Sequence, residues 1–174
     1  MAAIFISLLS VIAVIYHSYL AREENKLMRI QQSATVLPYL DHWYSNVGSE
    51  YRFVLENKGL GPAFITDVQF VGIQASDGDS LTFSNNHQLY DFISSQSSFF
   101  DSISNTKSSL YPNMLLAPKE EKTYYLFSFN SQDQKNRFQD EFYKYFWGYS
   151  IRYEDVYGAA WILSSNQSHP VKIE

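Results

Sequence analysis

Four histidines, His17, His42, His87 and His169, are the side chains of this chain best suited to proton transfer or metal binding near neutral pH. None stands in the H-x-x-x-H or H-E-x-x-H spacing that sets two imidazoles on one helix face, so there is no local zinc signature. The chain has no cysteine, which removes thiolate nucleophiles, thiolate metal sites and disulfides. Asp77 and Asp79 have the spacing that opens a calcium loop, but Ser80-Leu81-Thr82-Phe83 adds no further acid. Glu154-Asp155 is a carboxylate pair. Glycosidase chemistry needs two acids roughly 5–9 Å apart across a cleft, whereas neighbours along a strand point to opposite faces. No G-x-S-x-G elbow occurs. The expectation is therefore no metal, no cofactor and no locally encoded catalytic residue. An enzyme, most plainly a hydrolase, would have to assemble its site from residues distant in sequence, with His42, His87 and nearby acids as candidates.

The element that would position such residues is the stretch from Tyr51 to Val71. Strand-forming residues run to Glu56 and resume at Ala63. Between them Asn57, Gly59 and Gly61 can all take positive φ at little cost, and Pro62 fixes its own φ and steers Gly61 away from the α region. A phosphate-cradling loop would have to open a helix carrying Lys-Ser/Thr, and here a strand follows. The turn therefore reads as structural. Phe64, Thr66, Val68 and Phe70 then alternate with Ile65, Asp67, Gln69 and Val71, the period of a half-buried strand.

The remaining chain repeats this pattern. Tyr39–Tyr44 reads as the first strand. Asn86–Phe100 reads as a loop with a short helix, and Ser102–Ser109 as exposed loop. Lys122–Phe129 is a strand. Ser131 caps a helix reaching about Phe146, with Phe138, Phe142 and Tyr145 on one face. Trp147–Glu154 and Ala159–Ser164 are strands around a turn set by Asp155 and Gly158. An aromatic content of 17%, with 14 Tyr and 13 Phe, favours sheet over helix bundle. Short strands separated by turns predict a mainly β domain, an antiparallel β-sandwich with one or two short helices.

Upstream lies a tether. Ala2–Leu20 is an uncharged run of 19 residues, with His17 its one side chain that titrates near neutral pH. As a helix it spans roughly 28 Å, close to a hydrocarbon core. No Lys or Arg precedes it and no small-residue cleavage site closes it, so a permanent single-pass anchor is expected rather than a cleaved signal. Arg22, Lys26 and Arg29 follow it, which by the positive-inside count sets the larger domain in the cytoplasm. Ala21–Thr35 continues as a helix to the break before Pro38. Leu27, Ile30 and Ala34 lie on an apolar stripe that could meet a protein partner or a second copy. The expected organisation is residues 1–21 as transmembrane anchor, 22–36 as juxtamembrane helix and 37–174 as β-sandwich domain.

Two turn motifs carry a resemblance. Asn57-x-Gly59-x-Gly61-Pro62-Ala63 and the later Leu116-Ala117-Pro118-Lys119-Glu120 resemble turns of bacterial immunoglobulin-like modules of the cell-adhesion-related type, in which Lys119 is usually Gly. With the anchor, Pro38-Tyr39-Leu40 and Tyr153–Gly158, the whole layout resembles uncharacterised bacterial single-pass membrane proteins. The resemblance implies an immunoglobulin-like fold and the bacterial inner membrane, and no activity. From residue 36 onward 10 Lys and Arg stand against 16 Asp and Glu, a net charge of −6 that disfavours nucleic acid. The expected partners are the lipid bilayer and a protein or second copy. The expected role is a membrane-anchored, non-enzymatic interaction or scaffold module.

Overall fold

The computed structural model describes residues 2–74 and 78–173. Asp77 of the calcium-like pair lies outside the described residues, as do the side chains of residues 2–5, 8, 33 and 34, Ala34 among them. The chain divides into residues 1–35 and residues 36–174.

The first unit is one helix, α1 (Ala2–Thr35), with no break between the expected anchor and juxtamembrane parts. Ile6, Val11, Ile12, Ile15, Tyr16 and Tyr19, and further on Leu27, Met28 and Ile30, are all more than half exposed. Among the described residues no helix is long and apolar enough to cross a membrane.

Among its described residues the second unit is mainly β, with two α-helices and a short 3-10 turn at Ser98–Ser102. In chain order it comprises β1 (Leu40–Ser45), β2 (Glu50–Asn57), β3 (Ala63–Ile73), β4 (Ser80–Phe83), α2 (Asn86–Gln96), β5 (Ser104–Lys107), β6 (Met114–Leu116), β7 (Glu121–Ser128), α3 (Gln132–Tyr145), β8 (Phe146–Glu154), β9 (Ala160–Ser164) and β10 (Val171–Ile173). One sheet has the order β1-β2-β7-β5. The other runs β10-β9-β8-β3-β4, with β6 also on β3. Every pairing is antiparallel. Aromatic rings link the two sheets. Phe70 lies 6.0 Å from Tyr124, and His42 4.5 Å from Tyr149. The Leu40 N–H donates to Tyr153 Oη at 3.4 Å. This arrangement is compatible with a β-sandwich.

Both helices cross from one sheet to the other, and each begins at a side-chain cap. Asn85 Oδ1 accepts from Gln88 N at 2.9 Å, and Ser131 Oγ from Gln134 N at 3.2 Å. The i, i+4 pair Phe138 and Phe142 then falls on the buried face of α3. Phe138 meets Phe127 at 4.5 Å and Phe142 meets Phe53 at 5.1 Å. Each fully buried ring contributes roughly 2–3 kcal/mol of hydrophobic stabilisation.

Two expectations need correction. Ser102–Ser109 is not all loop, because β5 lies within it and pairs with β7. Its residues Ser104-Asn105-Thr106-Lys107 are polar on both faces, so the strand carries no alternation to read. Asn57, Gly59 and Gly61 do not take positive φ. Asn57 ends β2, and the glycines are required by close backbone approach instead. A Cβ on Gly59 would sit 2.3 Å from the Leu37 carbonyl oxygen, and one on Gly61 1.7 Å from that of Val36. The Leu60 N–H donates to the same Leu37 carbonyl at 2.9 Å.

The two turn motifs meet in space. Buried Asn57 accepts through Oδ1 from Tyr39 N at 3.1 Å and Gly59 N at 3.0 Å. Its Nδ2 donates to Gly61 O at 2.8 Å and Leu116 O at 3.1 Å. The Lys119 N–H donates to the Asn57 carbonyl at 2.8 Å. Lys119 has φ +62°, a left-handed conformation that glycine adopts more readily than a residue with a side chain. Pro62 hands the chain directly to Ala63 at the start of β3. In the last hairpin Gly158 has φ +81°, and Asp155 Oδ1 accepts from Tyr157 N at 2.8 Å and Ala159 N at 2.9 Å.

Candidate functional site

An open cleft of about 590 Å³ lies over the first half of β8. Its position follows from a break in the pairing of β3 with β8. Val71 pairs with Gly148, and Gly72 pairs with Phe146, so Trp147 is the extra residue of a β-bulge. The bulge turns Trp147 outward, leaving it 72% exposed. Tyr143 from the last turn of α3 and Tyr44 from β1 also line the cleft, and both are more than two-fifths exposed. Tyr143 is steadied by a 3.0 Å hydrogen bond between its hydroxyl and that of Tyr51.

The opposite lining is polar and neutral. Gln69 and Ser150 pair across β3 and β8, and Ser164, Ser165, Asn166 and Gln167 follow along the end of β9. Gly148 admits this turn, because a Cβ there would meet Ser165 Oγ at 2.3 Å. Ser165 Oγ accepts from the Tyr149 N–H at 3.2 Å, and the Ser165 N–H donates to the Tyr149 carbonyl at 3.0 Å. Ser164 Oγ lies 2.6 Å from Asn166 Oδ1 and 2.9 Å from Gln167 Oε1. A hydroxyl has one proton, so it donates to one of these amide oxygens at a time, and the other amide can turn its N–H toward Ser164 Oγ and present its oxygen to a ligand.

His42 sits behind the cleft, its ring among those of Tyr44, Phe53, Tyr124 and Tyr149. Its Nε2 lies 2.5 Å from Tyr124 Oη. Burial lowers its pKa to about 4, and the Asp41 carboxylate offsets only part of that shift. Burial likewise holds the Tyr124 phenol protonated well above its ordinary range. The charge-free arrangement is a phenol donating to a neutral imidazole. His87 bonds elsewhere, at 3.2 Å from Ser109 Oγ. The two histidines suggested for a hydrolase are thus engaged with different partners and not with each other. Among the described residues no three metal-ligating side chains converge. Asp155 serves the hairpin turn, while Glu154 lies on β8 beside it.

Neither Leu27 nor Ile30 belongs to the cleft, which is built from the second unit alone. Sequence reasoning missed Tyr44, Tyr143 and Trp147. The available signal was Trp147-Gly148 at the start of a strand, a large ring beside a residue that often marks a bulge. No family model matches the chain, and no curated protein or solved structure matches it. The resemblance to bacterial immunoglobulin-like modules therefore rests on the two turn motifs.

Proposed function

We propose that residues 36–174 form a non-enzymatic interaction module, held at a membrane by α1, that engages its partner through the cleft bearing Tyr44, Tyr143 and Trp147. The observation that carries this reading is Trp147, a 72% exposed indole on a bulge beside two further exposed rings. Large rings left together in water are the surface that partners cover, and tryptophan and tyrosine are the residues most enriched where binding energy concentrates. A second support is the chemistry of the histidines, since His42 is held neutral behind the cleft and bonded to a phenol.

The anchor reading rests on the uncharged run Ala2–Leu20, part of whose side chains lie outside the described residues. Arg22, Lys26 and Arg29 favour a cytoplasmic domain by the positive-inside count. The immunoglobulin-like form of the sandwich and the bacterial inner membrane follow from the resemblance of the turn motifs. Carbonate washing should leave the full chain with the membranes and release a chain lacking residues 1–35. Release of the full chain would remove the anchor.

The module reading is tested by placing a photoreactive residue at Val71, inside the cleft, and irradiating native membranes. Crosslinks identified by mass spectrometry should depend on Trp147 and disappear with Trp147→Ala. No crosslink, together with turnover of a substrate by the purified chain, would replace the module with an enzyme.

A further inference from the structure

We infer that the cleft takes a neutral oligosaccharide built of pyranose rings, an inference that rests on the module reading above and assigns its ligand class. No lysine, arginine, aspartate, glutamate or histidine is among the residues that line it, although the second unit is acidic overall. A charged ligand would enter without a counter-charge, and neutral amides and hydroxyls would replace only part of its hydration. A wholly apolar ligand would strand the amides and hydroxyls of Gln69, Ser150, Ser164, Asn166 and Gln167 in the same way.

A pyranose satisfies both halves of the cleft. One face of the ring presents C–H groups and can lie flat on an exposed indole, and the ring edge carries hydroxyls that both donate and accept. Trp147 supplies the flat surface, and its exposure leaves the indole open to a ligand. The Ser164–Asn166–Gln167 cluster supplies groups that change role, because the single Ser164 proton can serve either amide. Hydroxyls of differing orientation can therefore be met by turning an amide rather than by moving backbone. The volume, about 590 Å³, lies within the range of roughly 300–1,000 Å³ typical of small-ligand sites. A proline-rich peptide is the rival occupant. Its bare carbonyls call for donors alone, and its rings for a mainly apolar groove. The lining, with rings on one side and neutral amides and hydroxyls on the other, favours the sugar. Saccharides occur on both sides of cell membranes, so the inference does not depend on the orientation of the domain.

There is no carboxylate in the lining, so the site binds without the acid pair that glycoside cleavage requires. The experiment uses the full chain in detergent micelles, titrated with cellohexaose, with N-acetylchitohexaose and with a proline-rich decapeptide. Tryptophan emission and calorimetry are the readouts. At least one sugar should bind saturably, with a blue shift that persists in Trp43→Phe and Trp161→Phe. Trp147→Ala should keep the melting temperature and bind roughly tenfold more weakly or not at all, the scale of one lost aromatic contact. The inference is overturned if neither sugar binds at millimolar concentration, or if Trp147→Ala binds as tightly as the parent. Trp147-dependent binding of the peptide alone, or a protein crosslinked at Val71 with no effect of either sugar, would overturn the ligand class and leave the module reading standing. Absence of sugar binding, peptide binding and crosslinking together would remove both.

Discussion

At the residue scale the ionisable group whose shift bears on stability in mild acid is His42. Its pKa in the folded chain, about 4, lies below the ordinary histidine value of 6.5. Between those values the unfolded chain binds a proton that the folded chain refuses, so stability is present above about pH 6.5 and is lost as pH falls toward 4. The expected loss across that window is about 2–3 kcal/mol. His42→Gln keeps an acceptor for Tyr124 and cannot take up the proton. Thermal melts of the fragment Val36–Glu174 at a series of pH values should therefore fall steeply in acid for the parent and less so for the variant. Parallel pH profiles would show that His42 is not the group responsible. Lys119 offers a test of opposite sign. Its φ of +62° costs a non-glycine residue about 1–2 kcal/mol, and glycine relieves that strain while adding some backbone freedom to the unfolded chain. Lys119→Gly is expected to hold or raise the melting temperature, and Lys119→Val to lower it.

At the element scale, the turn between β2 and β3 and the bulge in β8 both depend on glycine, through space rather than through φ. A Cβ at Gly59 would strike the Leu37 carbonyl oxygen at 2.3 Å and the Tyr39 nitrogen at 2.4 Å, and neither backbone atom can swing away as a side chain would. Gly48 has φ +60° with open space around the Cβ position. Gly59→Ala should therefore destabilise by about 3 kcal/mol or more, and Gly48→Ala by only about 1 kcal/mol of backbone strain. Denaturant melts of the two variants decide this. Equal losses would mean that the Leu37–Tyr39 segment yields easily. At Gly148 the atom in the way is the Ser165 hydroxyl, which can rotate, so the cost there is chiefly the lost Tyr149 N–H bond.

At the scale of the whole molecule, residues 36–174 form a unit with its own aromatic core. Its lower boundary is set by backbone pairing ahead of β1. The Leu37 carbonyl accepts from Leu60 N at 2.9 Å, and the Tyr39 carbonyl from Lys58 N at 2.8 Å. A fragment beginning at Val36 should fold alone with a mainly sheet circular dichroism spectrum. One beginning at Leu40 should melt several degrees lower, since each lost bond leaves a donor of the turn without its partner. Equal melting temperatures would place the boundary inside β1. A mainly helical spectrum from the longer fragment would contradict the fold itself.

Sequence alone determined the local elements of this protein wherever one face of an element is apolar. Strand β3 alternates as read from Asp67 onward, and α3 places Phe138 and Phe142 one turn apart, because burial on one side writes a period into the chain. A bulge at Thr66 exposes Phe64 and buries Ile65, against the expected alternation. The hairpin of Asp155 and Gly158 was equally legible, since its chemistry is confined to a few adjacent residues. Strand β5 was not, because a short edge strand with polar residues on both faces leaves no period. Only the tertiary structure decided why Gly59 and Gly61 are glycines, since the atoms that exclude a side chain belong to the Val36–Tyr39 segment, which folds back across the turn. The cleft was decided the same way. Tyr44, Tyr143, Trp147 and Ser164 come from four separate elements, and what turns Trp147 out beside the other three is a register shift between β3 and β8. A register is a relation between two strands, and neither strand's own residues state it.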